Sequence, residues 1–201
     1  MEIINYLIII LLGYLIGSIP FALIIGKLFY NTDIRESGSG NLGGTNAGRT
    51  LGRKVGIIVI ILDISKAFLA ILLAGAIVRQ FNMEVNPIIS GLAAVIGHCY
   101  PIFAGFRGGK GVACAAGFLL AINPLLLVIG LVMIIINLKI HQMMSLAVII
   151  TVILTSILAY LVPYFGNTKH ILPFLALFLI FQHRDNIKRI IKHNENKITW
   201  I

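Results

Sequence analysis

Six long apolar runs alternate with short polar stretches along the chain, and their lengths predict the first elements. Ile3–Phe29 reads as a membrane span interrupted by Gly13, Gly17, Ser18 and Pro20. Its small residues permit close helix approach, and Pro20 predicts a kink. Val55–Val78 is a second span, carrying Asp63 and Lys66 three positions apart on one helical face. A third begins at Pro87 and runs to about Phe103. Val112–Leu138 is long enough for one crossing, but Asn123-Pro124 interrupts its centre and predicts two half-length helices. Met143–Val162 is another full span, Pro163–His170 a short outer loop, and Ile171–Phe181 the last span. An interfacial helix continues it, with Ile187, Ile190 and Ile191 on one face. The expectation is a single all-α integral membrane domain over residues 1–201, with seven transmembrane segments: five full spans plus the pair of half-helices.

Charge sets the orientation. Were Val112–Leu138 one crossing, Lys139 and His141 would lie opposite the first polar stretch, and the basic C-terminus would end outside. Two half-helices return both to the inside, as the positive-inside rule favours, with the N-terminus out and the C-terminus in. The polar clusters are then expected together on the cytoplasmic side. Hydrophobic residues make up 59% of the 201 residues and charged ones 11%, against about 25% charged in a soluble domain. The net charge of +9 lies in inter-helix loops, which suits anionic headgroups and argues against a nucleic-acid partner. Cys99 and Cys114 show no metal or redox spacing and read as packing residues. The first apolar run has neither a basic leader nor a clear cleavage site, and reads as a retained helix.

Candidate chemistry sits in three polar clusters. Glu36–Lys54 holds Gly38, Gly40, Gly43, Gly44 and Gly48, so its backbone can turn tightly and present bare amides, a nest for an anion. Ser39, Asn41, Thr45 and Asn46 add neutral hydrogen-bonding groups, while Arg49, Arg53 and Lys54 add charge. The second cluster joins His98, where the third span ends, to Gly108-Gly109-Lys110-Gly111, a lysine between glycines able to meet one phosphate. In the third, His183 and Asn186 lie three apart on a helix and face one ligand. Asp63 and Lys66 read either as a self-neutralising pair or as support beside the site.

Several chemistries are excluded. Gly38–Gly43 matches GxGxxG but follows a membrane helix rather than a strand, so no dinucleotide site is predicted. The Gly-Lys loop has Ala104 where a Walker loop starts with glycine, and Gly111 where it needs Ser or Thr. The carboxylates are scattered, so neither a metal nor another cofactor is expected. The acyltransferase motif HxxxxD is also absent. The chain shows no internal repeat, which counts against a repeat-built transporter for a phosphorylated solute, the competing class.

Together GSGNLGGTNAGR (38–49), GHCYPIFAGFRGGKGVA (97–113) and QHRDNIKR (182–189) closely resemble the three motifs of the bacterial acyl-phosphate:glycerol-3-phosphate acyltransferases, the PlsY family. Their order and spacing, with GSIPFA (17–22), extend the resemblance over essentially the whole chain. Gly44 stands where the family more often has alanine and Cys114 where threonine or serine is common. The tail His193–Lys197 lacks the usual glycine before Glu195, which leaves the roles of Glu195 and Lys197 open.

The resemblance implies acyl transfer from acyl phosphate to the 1-hydroxyl of sn-glycerol 3-phosphate, giving lysophosphatidate and phosphate. This would be the first acylation of bacterial phospholipid synthesis, by a multi-pass inner-membrane protein, a monomer, with its site on the cytoplasmic face. An acyl phosphate is already activated, so direct attack without an acyl-enzyme is expected. Backbone amides around Ser39–Asn46 would bind the leaving phosphate, and Arg49 and Lys110 the phosphate of glycerol 3-phosphate, with His183 and Asn186 completing that pocket. Ser145, at the inner end of its span, would contribute a hydroxyl. Which loop holds which phosphate stays open, as does whether His183 or the substrate's own phosphate is the base.

Overall fold

The computed structural model describes residues 2–166 and 168–198, and among them every regular element is helical. The chain divides into two compact units, residues 1–121 and 122–201. Among the described residues, four apolar stretches are long enough to cross a membrane: 2–30, 53–80, 124–141 and 144–161. Three shorter apolar stretches, 88–104, 112–122 and 168–182, fall below that length.

In the first unit the opening span is two helices, α1 (Glu2–Gly17) and α2 (Phe21–Tyr30). The expected kink at Pro20 is therefore a break, because proline lacks the N–H that would continue the ladder. The polar stretch that follows is not all loop: it contains α3 (Gly44–Leu51). Little in Gly-Thr-Asn-Ala-Gly favours a helix, so packing against α4 (Arg53–Gln80) accounts for it. Gly56 of α4 lies against the backbone of Gly44 and Gly48, and a Cβ there would come within 2.7 Å of the Gly48 Cα. The third span is a shorter helix, α5 (Ile88–Cys99), which packs extensively on α1. A Cβ on Gly13 or Gly17 would run into the Ser90 or Ala94 carbonyl, so the small residues of α1 set this close approach. The last helix here, α6 (Val112–Ile122), lies with Gly117 against the Ile64 carbonyl of α4. Cys99 and Cys114 are both free and buried.

The second unit begins with α7 (Pro124–His141), whose N-cap Asn123 accepts the Leu126 N–H at 3.1 Å. The break expected at Asn123-Pro124 is present, but its two helices are not equal halves. α6 has 11 residues and α7 has 18. At ~1.5 Å per residue α7 spans about 27 Å, close to a hydrocarbon core of about 30 Å. The apolar run ends at Leu138, yet the helix continues to His141 and takes in Lys139, a cation that suits its negative C-terminal end. Gln142, in the left-handed region at φ 57°, turns the chain into α8 (Met144–Leu161). Next, α9 (Thr168–Gln182) takes in His170, which had been expected in the preceding loop; Asn167 of that loop lies outside the described residues. A break at His183 leads into α10 (Arg184–Ile191), on which Ile191 is 72% exposed. The tail then folds back: the Ile198 N–H donates to the Gln142 carbonyl at 2.7 Å, and Ile198 packs with Leu138 and Ala147.

Candidate active site

The loop before α3 is shaped by short polar side chains. Asp33 accepts the Arg35 backbone N–H at 3.0 Å and the guanidinium Nε and Nη2 at 2.9 and 2.6 Å. This pairing with Arg35 holds the Asp33 carboxyl far below the usual carboxylate range. Asn46, buried on α3, reaches back as the template for the run that follows. Its amide donates to the carbonyls of Ile34 (3.0 Å) and Ser37 (3.1 Å), and its Oδ1 accepts the Ser39 N–H at 2.8 Å. Gly38 and Gly40, at φ 60° and 69°, bend around it in the left-handed region glycine favours.

These bonds narrow the anion nest. The amides of Ser39, Gly40, Leu42, Gly43 and Asn46 donate within the protein, to Asn46, Ser37, Gly108, Asn41 and Gly43 respectively. Those of Asn41, Gly44 and Thr45 have no acceptor among the described residues, and the last two open the first turn of α3. A helix N-terminus combines bare amides with a positive dipole end and so attracts anions. Arg49 and the Ser39 hydroxyl are exposed nearby in sequence, with no partner among the described residues. Asn46, expected among the ligand-binding groups, instead turns both ends of its amide inward.

The second glycine loop is built against His98. The Gly109 N–H donates to the His98 carbonyl at 3.0 Å, and a Cβ on Gly109 would overlap the imidazole Nε2. Gly108 lies as close to the His98 carbonyl and accepts the Leu42 N–H at 3.3 Å, tying the two glycine loops together. Gly111, at φ 83°, directly precedes α6, so the half-buried Lys110 stands two positions before that helix begins. Beneath lies a cluster only half visible in the sequence. Lys66 Nζ is 2.8 Å from Asp63 Oδ1 and 3.4 Å from His98 Nδ1, all three buried. The spacing of Asp63 and Lys66 signalled their pairing; nothing local signalled His98.

In the second unit, His183 is buried between α9 and α10, with Nδ1 2.7 Å from the Leu179 carbonyl. That contact places a ring proton on Nδ1, since a carbonyl can only accept. Asn186 and Ser145 meet at Glu195. Its Oε1 accepts from Asn186 Nδ2 at 2.6 Å and from the Ser145 hydroxyl at 2.8 Å, while Oε2 accepts Arg189 Nε at 2.7 Å. Burial would raise the Glu195 pKa, but hydrogen bonds from Asn186, Arg189 and Ser145 outweigh it and hold the carboxyl below its ordinary value. The side chain whose role the sequence left open is thus the hub joining α8, α10 and the tail. His193, two positions before Glu195, follows the end of α10 in the left-handed region at φ 55°. Its N–H and that of Asn194 donate to Ile190 and Arg189, the pattern of a left-handed helix stop.

A family model described as glycerol-3-phosphate acyltransferase matches residues 7–193. The chain is 46% identical over 193 residues to a glycerol-3-phosphate acyltransferase of Bacillus velezensis, covering 95% of this chain and 96% of the relative. It resembles crystal structures of PlsY (YgiH), an integral membrane glycerol 3-phosphate acyltransferase. The glycerol 3-phosphate form matches with a TM-score of 0.85 at 35% identity, covering 96% of this chain and 95% of the other. The lysophosphatidic acid form matches at 0.83 and 34%, with the same coverage.

Proposed function

This chain belongs to the glycerol-3-phosphate acyltransferase family, in its PlsY branch, and on that premise we propose that it moves a fatty acyl group from acyl phosphate to the 1-hydroxyl of glycerol 3-phosphate. The hydroxyl oxygen attacks the acyl carbon, its proton passing to His183 or to the phosphate of glycerol 3-phosphate, while the carbon–oxygen bond to the leaving phosphate breaks and that phosphate departs with the electron pair. No covalent enzyme intermediate is needed, because the mixed anhydride is already activated. The product is 1-acyl-glycerol 3-phosphate. This is the first acylation of phospholipid synthesis, on the cytoplasmic face of the bacterial inner membrane. Seven segments, with the N-terminus outside, put the cations inside.

The observation that carries this reading is the unspent donor set at the start of α3. The amides of Asn41, Gly44 and Thr45 lack internal acceptors among the described residues, and Arg49 lies exposed on the same helix. Such preorganised donors suit a phosphate oxygen that gains charge as it leaves, and losing one donor typically costs about 10²–10³ in rate. Arg49 and Lys110 contribute the cations for phosphate. In the second unit, His183 serves either as proton acceptor for the hydroxyl or as a phosphate contact, with Asn186 at the start of the helix that follows it.

The test uses the purified chain in lipid with palmitoyl phosphate and glycerol 3-phosphate, without added metal, following phosphate release and lysophosphatidate together. Equal, coupled appearance of both, lost in Lys110→Ala, is the expected result. Product from acyl-CoA but none from acyl phosphate would overturn the donor assignment. Uptake of labelled glycerol 3-phosphate into sealed liposomes without acyl phosphate would point to a transporter instead.

A further inference from the structure

Three ionisable side chains lie buried beneath the glycine loops, and none meets substrate in the reaction above. Asp63 and Lys66 come from α4 and His98 from the end of α5; on the α2 side, the Phe21 ring lies 5.1 Å from the Lys66 ammonium. Asp63 is 1% and Lys66 3% exposed, and Asp63 Oδ2 accepts no hydrogen bond among the described residues. Burying this pair has a desolvation cost that its mutual attraction rarely exceeds, so stability alone is a poor reason for it. What the cluster touches supplies a better one. Lys66 holds the Nδ1 side of His98, while the opposite edge of the ring is the wall against which Gly109 lies. The His98 carbonyl takes the Gly109 N–H, and the neighbouring Gly108 carbonyl takes the Leu42 N–H.

We propose that Asp63, Lys66 and His98 form a positioning device that sets the place of both glycine loops, the Gly108–Lys110 loop directly and the Gly38–Gly44 loop through Leu42. His98 is then a strut for the phosphate-binding backbone rather than a ligand of the phosphate. Lys66 Nζ and Asp63 Oδ1 each lie 3.4 Å from His98 Nδ1, so the ion pair holds one edge of the ring. Loss of both charges frees the imidazole, and the loop loses its wall. This inference rests on the acyltransferase reading for its kinetic readout but not for its structural one.

The test is the paired variant Asp63→Asn/Lys66→Met, which removes both charges at once and leaves neither buried alone. Hydrogen–deuterium exchange is followed over residues 105–113 in the lipid-embedded protein, alongside kcat/KM. Exchange in that segment should accelerate by about tenfold or more, while helices α1 and α5 stay protected. The kcat/KM should fall by about 10²-fold, the scale of a misplacement near 1 Å. Unchanged loop exchange, or faster exchange with kcat/KM unchanged, would overturn the proposal. Should the paired variant fail to fold, His98→Gln keeps the ion pair, removes the wall, and should loosen the same segment; unchanged exchange there overturns it equally. Should the wild type transfer no acyl group, the acyltransferase reading falls, and exchange over 105–113 decides the positioning role by itself.

Discussion

Replacing Glu195 by glutamine keeps the side chain's shape and removes its charge, isolating what the carboxylate contributes. Two of its donors, Asn186 and Ser145, are buried at 5% and 4% exposure, so their bonds to Oε1 are poorly replaced by water. A neutral carbonyl still accepts from them, but a charge-assisted hydrogen bond is roughly twice as strong as a neutral one. Each should therefore lose about 0.5–1.5 kcal/mol. Arg189 is more exposed, and its pair with Oε2 is worth under about 1 kcal/mol. The sum is about 2 kcal/mol, or a Tm lower by about 4–8 °C for a chain of this size. The pH dependence supplies the decisive control. The folded carboxyl titrates below its ordinary value of 4.5, so the native state binds fewer protons than the unfolded chain there. Its contribution is complete above that value and is lost as pH falls through the folded pKa. Circular-dichroism melts in detergent should show the full gap between wild type and Glu195→Gln at pH 7, closing progressively once the pH is taken below 4.5. A gap of the same size at both ends, or none at pH 7, would refute the hub.

Asn46→Ala removes the template of the first glycine loop; with three bonds lost it should cost about 2–4 kcal/mol and raise the KM for a phosphate substrate, measured by melts and steady-state kinetics. His193→Gly relieves a left-handed residue at the end of α10. Since that strain is partly offset by glycine's greater unfolded entropy, a gain of up to about 1 kcal/mol is expected in the same melts. His183→Gln separates the two roles of that side chain: near-wild-type kcat with raised KM excludes an essential base, whereas a steep fall in kcat at unchanged KM excludes a purely binding role.

What the amino-acid sequence determined by itself was local. Apolar run length requires membrane helices, since a lipid-exposed backbone must satisfy its own polar groups. Pro20 and Asn123-Pro124 mark breaks because proline cannot continue the ladder, and three ordered motifs carry the family. The tertiary structure decided which polar groups meet each other and which remain for a ligand. Ser145 and Glu195 are 50 positions apart and Lys66 and His98 are 32 apart, and no helical periodicity links residues at such distances. Asn46 looked like a ligand group because its sequence neighbours are glycines; only the folded loop shows its amide consumed by Ile34, Ser37 and Ser39. The helix at Gly44–Leu51 is likewise tertiary: its residues have weak intrinsic preference for that state, and the close approach to Gly56 of α4 supplies what propensity does not.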